Sequence, residues 1–289
     1  TPLVDLPPKP GHEVKEAIAE AADGRVIVKR RTGLVIVVRP GEYFVLGDVT
    51  KHEHQVHNVI GNAFASGFLE QGYVMLHASA VSDPSVGMAF GARSGGGKSS
   101  LALAMLERGF RFVTNDRLFV RPIDDGVQML GMPKMPRVNP GTLVRLPSLR
   151  SLLDREERRL IATLSHRELW ELERKHDVDV DSLYGPGTWV TDVVPLDGLY
   201  ILHWSLDGDG LEVRTVESVA ERFRELRGLL KGLGPYAPRR AHHLSPAGLD
   251  AIAARLPVYR VEGRADVVLL SERLAAGVRS PAGSIDGQS

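Results

Sequence analysis

Residues 90 to 102 read FGARSGGGKSSLA, three glycines in a row followed by a lysine and two serines. Glycines in series let backbone amides turn inward around an anion, and a helix that follows adds the positive end of its dipole. That arrangement needs a strand before the loop and a helix after it. MAF, residues 88 to 90, has the form of a short buried strand. SSLALAMLERG, residues 99 to 109, sets Leu101, Ala104 and Met105 on one helical face and puts Gly109 at the stop. FRFVTND, residues 110 to 116, then reads as another strand ending in polar groups. A glycine turn that merely contains a lysine does not account for strand, loop, helix and strand in that order, so a nucleotide site is the favoured reading.

Aligned on Lys98, the phosphate-loop pattern starts at Ala92, where it ordinarily has Gly, and runs through Ser94, Gly95, Gly96 and Gly97 to Lys98, Ser99 and Ser100. In that pattern Lys98 reaches the β- and γ-phosphates of ATP and the Ser99 hydroxyl ligates Mg²⁺. The next strand delivers VTNDR, with Asn115 and Asp116, to the same crevice. A carboxylate there can hold Mg²⁺ or take the proton of an attacking hydroxyl. The bland reading of an Asn-Asp pair is a turn, and the position relative to Lys98 favours the functional one.

Composition removes competing classes. The 289 residues are 43% hydrophobic and 25% charged, enough for one large domain with an appendage. Lys plus Arg and Asp plus Glu balance at 36 each, so no net field draws the chain to nucleic acid or to an acidic membrane. The absence of Cys removes disulfides, thiolate metal sites and cysteine nucleophiles. The first residues are Pro-rich and charged where a signal peptide needs an apolar core, and no apolar run has membrane-spanning length. The expected compartment is cytoplasmic.

Along the chain, EVKEAIAEAA (13 to 22) has helical spacing, and residues 25 to 49 alternate β-branched runs with Gly and Pro breaks, the pattern of an antiparallel meander. Residues 1–50 are therefore expected as a helix and β-rich segment, 51–277 as the main α/β domain and 278–289 as a disordered tail. Val56, Val59, Ile60, Phe64 and Phe68 predict a helix ending near Gly72, followed by a strand, YVMLHASAV. Asp125-Gly126 predicts a hairpin. GMPKMPRVNPGTLVRLPSL is too rich in Pro and Gly for regular structure and reads as a functional loop. Residues 151 to 177 read as a charge-rich, solvated helical stretch, and 232 to 246 as a linker.

Taken together, MLHASAV, GARSGGGKSSLALAMLERGFRFVTNDR and the hairpin after them resemble, in order and spacing, the catalytic domain of HPr kinase/phosphorylase, most closely its divergent HPr-kinase-related kinases of the B type. The likeness covers residues 56 to 145 well. It implies a P-loop kinase fold of the HPr kinase and phosphoenolpyruvate carboxykinase-like type, using ATP and Mg²⁺ to phosphorylate a hydroxyl. By the same resemblance Gly95 to Ser100 form the phosphate loop, and Ser99 and Asp116 contact the metal. Asp116 is the second of the family's paired aspartates and the provisional base, with His77 on the strand before the loop. Asn115 replaces the first aspartate. Met135 stands where the family's Glu-x-Arg-Gly signature has Glu, while Arg137 keeps the Arg, either stabilising the transferring phosphoryl group or forming a salt bridge. Loss of these acids argues for kinase activity without the reverse reaction. The family often forms ring-like hexamers, so a homo-oligomer is allowed.

Other groups carry less. His52, His54 and His57 lack a convincing third ligand, His242 and His243 lie in the expected linker, and Ser79 and Ser82 have no Gly-x-Ser-x-Gly turn. Trp170, Trp189 and Trp204 are too dispersed for a base-stacking platform. Two classes remain: a kinase acting on a protein serine or a small hydroxylated metabolite, and a non-catalytic ATP-binding switch. The acceptor pocket is expected from loops 133 to 145 and 182 to 192, where Tyr184 and Trp189 would cover a ring or simply pack.

Overall fold

The computed structural model describes residues 2–8, 13–237 and 246–279. The chain divides into two units, residues 1–75 with 231–245, and residues 76–230 with 246–289. The linker histidines His242 and His243, and all but the first two residues of the expected tail, lie outside the described residues.

The first unit is built on a five-stranded antiparallel meander in chain order: β1 (Val4–Asp5), β2 (Glu16–Ala21), β3 (Gly24–Lys29), β4 (Val35–Arg39) and β5 (Glu42–Leu46). The helix expected over residues 13 to 22 is instead β2. Its register against β3 runs Glu16↔Lys29 to Ala21↔Gly24, so a tight turn at Ala22-Asp23 converts a run of good helix formers into half of a hairpin. Cross-strand pairing overrides the weak helix preference of Glu and Ala. Gly24 is required there, because a Cβ would sit 2.3 Å from the Val38 carbonyl oxygen. Arg25 anchors the pair through Glu20, with Nη2 2.5 Å from Oε1. Helix α1 (Glu53–Glu70) follows and stops before Gly72 at φ 84°, as its apolar stripe predicts. Strand β6 (Val74–Leu76) spans the chain position where the first unit ends and the second begins.

The second unit carries a six-stranded mixed sheet. In chain order its strands are β7 (Ala78–Ser82), β8 (Gly87–Gly91) and β9 (Arg111–Thr114), with α2 (Lys98–Leu106) between the last two. The hairpin β10 (Leu118–Ile123) and β11 (Gly126–Gly131) turns at Asp124-Asp125, and its register closes on Ile123↔Gly126. Next come β12 (Arg137–Val138), α3 (Pro140–Arg145), α4 (Arg155–Ile161), α5 (His166–Glu171), β13 (His176–Asp177), α6 (Val180–Tyr184) and β14 (Val194–Pro195). The unit is completed by β15 (Gly198–Leu202), β16 (Leu211–Thr215), α7 (Val219–Gly228), α8 (Pro246–Arg255), β17 (Val258–Gly263) and α9 (Val267–Arg279). The sheet order is β16-β17-β15-β8-β7-β9, with β8, β15 and β17 mutually parallel.

Helix α2 lies between this sheet and α9, which explains why Leu101 to Leu106 are buried on every side instead of along one stripe. Each fully buried Leu of this kind contributes about 1.5–3 kcal/mol. Two stretches are more regular than their composition suggests. The Pro-rich run 131 to 149 contains β12 and α3, with Pro140 at the first helical position, where its missing N–H costs nothing. The charge-rich run 151 to 177 is not one solvated helix. It breaks into α4 and α5, each opened by a capping box, Asp154 with Glu157 and Ser165 with Glu168. Among the described residues, no helix is long and apolar enough to cross a membrane.

Candidate functional site

Strand directions bring three chain segments to one edge of the six-stranded sheet. β7 runs antiparallel to both β8 and β9, so β8 and β9 point the same way and their C-terminal ends fall beside the start of β7. Ala78 pairs with Gly91, and Ala80 with Thr114. The loop after β8, the Asn115-Asp116 turn after β9 and His77 just before β7 therefore converge. The continuous strand expected over residues 73 to 81 is bent at His77, which separates β6 from β7 and puts the imidazole at the sheet's edge. His77 Nε2 lies 3.2 Å from Asp116 Oδ1, both side chains being about one-third exposed at 36% and 35%. Asn115 is held from behind, where the Ser79 hydroxyl donates to its carbonyl oxygen at 2.8 Å.

The loop itself depends on its glycines. Gly95 and Gly97 take φ of 76° and 89°, and Gly97 is the residue from which α2 starts. A Cβ on Gly96 would lie 2.8 Å from the Ala92 methyl, so the extra carbon at Ala92 is accommodated because Gly96 has none. Leu101 donates its N–H to the Gly97 carbonyl at 2.9 Å, and the amides earlier in α2 are those that no helical carbonyl can serve. Lys98 is only 7% exposed, with its ammonium 3.1 Å from the Ala92 carbonyl and 3.3 Å from that of Arg93. Trp204, set aside above as a base-stacking residue, fixes the loop from outside: its indole N–H donates to the Gly96 carbonyl at 3.0 Å, and its ring bounds the space beside Gly97. Ser100 and Thr142 share a hydroxyl hydrogen bond of 2.6 Å, tying α2 to α3.

Two cavities flank the loop. The first, about 450 Å³, is lined by Ser94 to Ser100 and extends past Asn139 and Thr142 to Leu169 and Trp170. The second, about 300 Å³, holds His77, Asn115, Asp116, Lys134 and Met135. Ser94, Gly95, Lys98, Ser99, Arg137 and Lys175 belong to both. Every residue expected in the phosphate loop, at the metal or in the catalytic set thus lines one or both cavities except Ala92, which is buried beneath the loop. Arg137 also forms the salt bridge that was its other reading, Nε to Asp177 Oδ1 at 3.0 Å, while half exposed. Met135 is 45% exposed at the second cavity and supplies no carboxylate there.

The expected contribution of loop 182 to 192 does not materialise. Tyr184 meets Ser148 through their hydroxyls at 2.8 Å, and burial pushes its phenol up to about 12. Trp189 packs edge-on against Phe112, ring centres 5.5 Å apart. Both belong to the packing around the site. Lys175 was missed because its stretch looks like solvent-facing charge. The capping acid Glu157, 6% exposed, has its carboxylate 3.0 Å from Arg174 and 3.1 Å from His176, the residues on either side of Lys175.

No protein-family model matches the chain. No curated protein matches its sequence. Among solved structures, the chain is similar to the Hpr(Ser) kinase/phosphatase from Coxiella burnetii at 15% sequence identity and a TM-score of 0.36, over 71% of this chain and 95% of that one.

Proposed function

We propose that this chain is an ATP-dependent phosphotransferase with a hydroxyl acceptor, working with Mg²⁺. The observation that carries the reading is the meeting of two cavities at Lys98 and Ser99, one along the glycine loop and the other around Asp116 and His77. A phosphoryl group in transit needs donors for its charge on one side and a proton acceptor on the other.

The residues suit both the nucleotide and the cation. Backbone amides at the start of α2 and the Lys98 ammonium are donors for phosphate oxygens. Asn139, in the first cavity, has a buried side-chain oxygen with no hydrogen-bond partner among the described residues, the kind of atom that a ligand donor satisfies. In phosphate-loop enzymes Mg²⁺ is held by a loop Ser or Thr and an Asp together with substrate phosphates, and Ser99 and Asp116 would supply that hydroxyl and carboxylate. When bound, the cation neutralises charge on the transferring group.

Asp116 accepts the proton of the acceptor hydroxyl, with His77 holding its carboxylate in place. The acceptor oxygen forms its bond to the γ-phosphorus as the bond from that phosphorus to the β–γ bridging oxygen breaks, and ADP leaves with the electron pair. Lys98 stays on the phosphates through the transfer, and Arg137 faces the developing charge from the rim shared by the two cavities.

The test is transfer of labelled γ-phosphate from Mg-ATP to a cell extract divided into protein and small-molecule fractions, comparing the native chain with Lys98→Ala and Asp116→Asn. Label that appears in one fraction and disappears with both substitutions supports the reading. ATP binding without movement of label overturns it in favour of a nucleotide-dependent switch.

A further inference from the structure

The second cavity is unbalanced in charge. Lys98, Arg117, Lys134, Arg137 and Lys175 line it, against one lining carboxylate, Asp116. Part of this excess is already engaged. Lys98 belongs to the phosphate loop, and Arg137 shares its charge with Asp177. Lys134 and Lys175 are different, since the described residues offer neither of them an ion pair. The neighbours of Lys175, Arg174 and His176, lie 3.0 and 3.1 Å from the Glu157 carboxylate, and β12 pairs with β13 in register Val138↔His176. Lys175 stands immediately before β13, so the pairing of that strand with β12 fixes the backbone that leads to it.

Cations lining one small cavity repel one another, and an anion among them removes the cost while gaining charge-assisted hydrogen bonds. The nucleotide triphosphate is accommodated by the glycine loop and the α2 amides, so the excess next to Asp116 calls for negative charge on the other substrate. The volume, about 300 Å³, is at the small end of ligand pockets. We propose that the acceptor is a small hydroxyl compound bearing its own carboxylate or phosphate group, which Lys134 and Lys175 bind while the hydroxyl meets Asp116. This rests on the phosphotransferase reading and narrows its substrate class. The transfer turns R–OH and ATP into R–O–PO₃²⁻ and ADP, and the hydroxyl proton passes to Asp116 and then to water.

A matched acceptor series tests it: glycerol, glycerate, glycerol 3-phosphate and a capped serine tripeptide, the last neutral at both ends. Binding to the full chain in the presence of Mg-ADP is measured by calorimetry, and transfer from Mg-ATP by phosphorus NMR. The two anions should bind and accept phosphate with kcat/KM at least about tenfold above glycerol and the tripeptide. The better of the two tells carboxylate from phosphate recognition. Lys134→Glu should raise KM for the anion about tenfold with a much smaller change in ATP affinity, because Lys134 lines only the second cavity. Equal use of glycerol or the tripeptide overturns the proposal while leaving the phosphotransferase reading in place, and so does failure of both anions to bind. Anions that bind while no compound receives phosphate overturn the phosphotransferase reading and the acceptor role with it.

Discussion

His77 Nε2 and Asp116 Oδ1 stand 3.2 Å apart at one edge of the sheet, although the two residues enter from different strands. The contact exists because β7 is antiparallel to both β8 and β9, so its first residues meet the ends of the other two. An imidazole at that distance fixes the direction of a carboxylate that would otherwise rotate in a half-open cleft. Asp116→Asn keeps the shape and removes the proton acceptor, so transfer should fall by about 10²–10⁴ while affinity for the metal-free nucleotide changes little. His77→Gln retains a donor and should cost about tenfold or less in kcat. Single-turnover rates alongside nucleotide titrations separate the two effects, and an Asp116→Asn protein that transfers at the native rate would remove Asp116 as the base.

Gly97 starts α2 at φ 89°, and a Cβ there would lie 3.2 Å from Trp204 Cζ2. Gly97→Ala therefore meets two costs, about 1–2 kcal/mol for a left-handed backbone and displacement of the indole that holds the Gly96 carbonyl. Trp204→Phe keeps the Gly97 backbone unstrained and loses the hydrogen bond, about 1 kcal/mol, together with part of a buried ring. Thermal melts with and without Mg-ATP should show the larger loss of nucleotide-induced stabilisation for Gly97→Ala. Equal losses would mean that the backbone conformation is not what matters.

The loop was legible in the sequence because its requirements are local: glycines where φ is positive, a lysine after them, a helix behind. Asp116 was legible by its position after the next strand. What closes the site was not. Trp204 arrives from the chain after β15 to donate to Gly96, and Lys175 arrives beside β13, in a stretch whose charge density imitates a solvated helix. No period marks either contact, since each is set by a strand pairing between distant segments. The mistaken helix at 13 to 22 has the same origin, for local propensity favoured a helix and the hairpin with β3 decided otherwise. The two capping boxes of α4 and α5 were present in the sequence and would have divided that stretch correctly.

Asp83 makes the turn into β8 sensitive to acid. Burial by itself would raise its pKa, but the Ser85 hydroxyl and the Ser85 and Val86 amides all donate to Oδ1 at 2.7–2.9 Å and bring it below the ordinary carboxylate value. A lowered folded-state pKa gives stability that is present above the unfolded-chain value of about 4 and lost as pH falls through the folded value. Asp83→Ala should therefore destabilise by about 1–2 kcal/mol at pH 7, and its deficit against the native chain should shrink below about pH 4. Urea melts of both proteins at several pH values check the sign; a deficit independent of pH would show that packing, not charge, sets the turn.

Glu157 links stability to the second cavity. Its backbone N–H donates to Asp154 Oδ1 at 2.8 Å, its Oε2 accepts from the Asp154 N–H at 3.2 Å, and its Oε1 lies against Arg174 and His176. Glu157→Gln keeps an acceptor for the Asp154 N–H and gives up the charge, whereas Glu157→Ala gives up both and leaves a space in a site that is nearly closed to solvent. The expected order of stability is native, then Gln, then Ala, with the last about 1–3 kcal/mol below the native chain. If the purpose of this acid extends to holding Lys175, the Gln protein should show a raised KM for an anionic acceptor at a temperature where it is fully folded, with kcat nearly kept. A protein that loses stability while its KM stays at the native value would confine Glu157 to capping α4 and leave Lys175 positioned by the β12–β13 pairing alone.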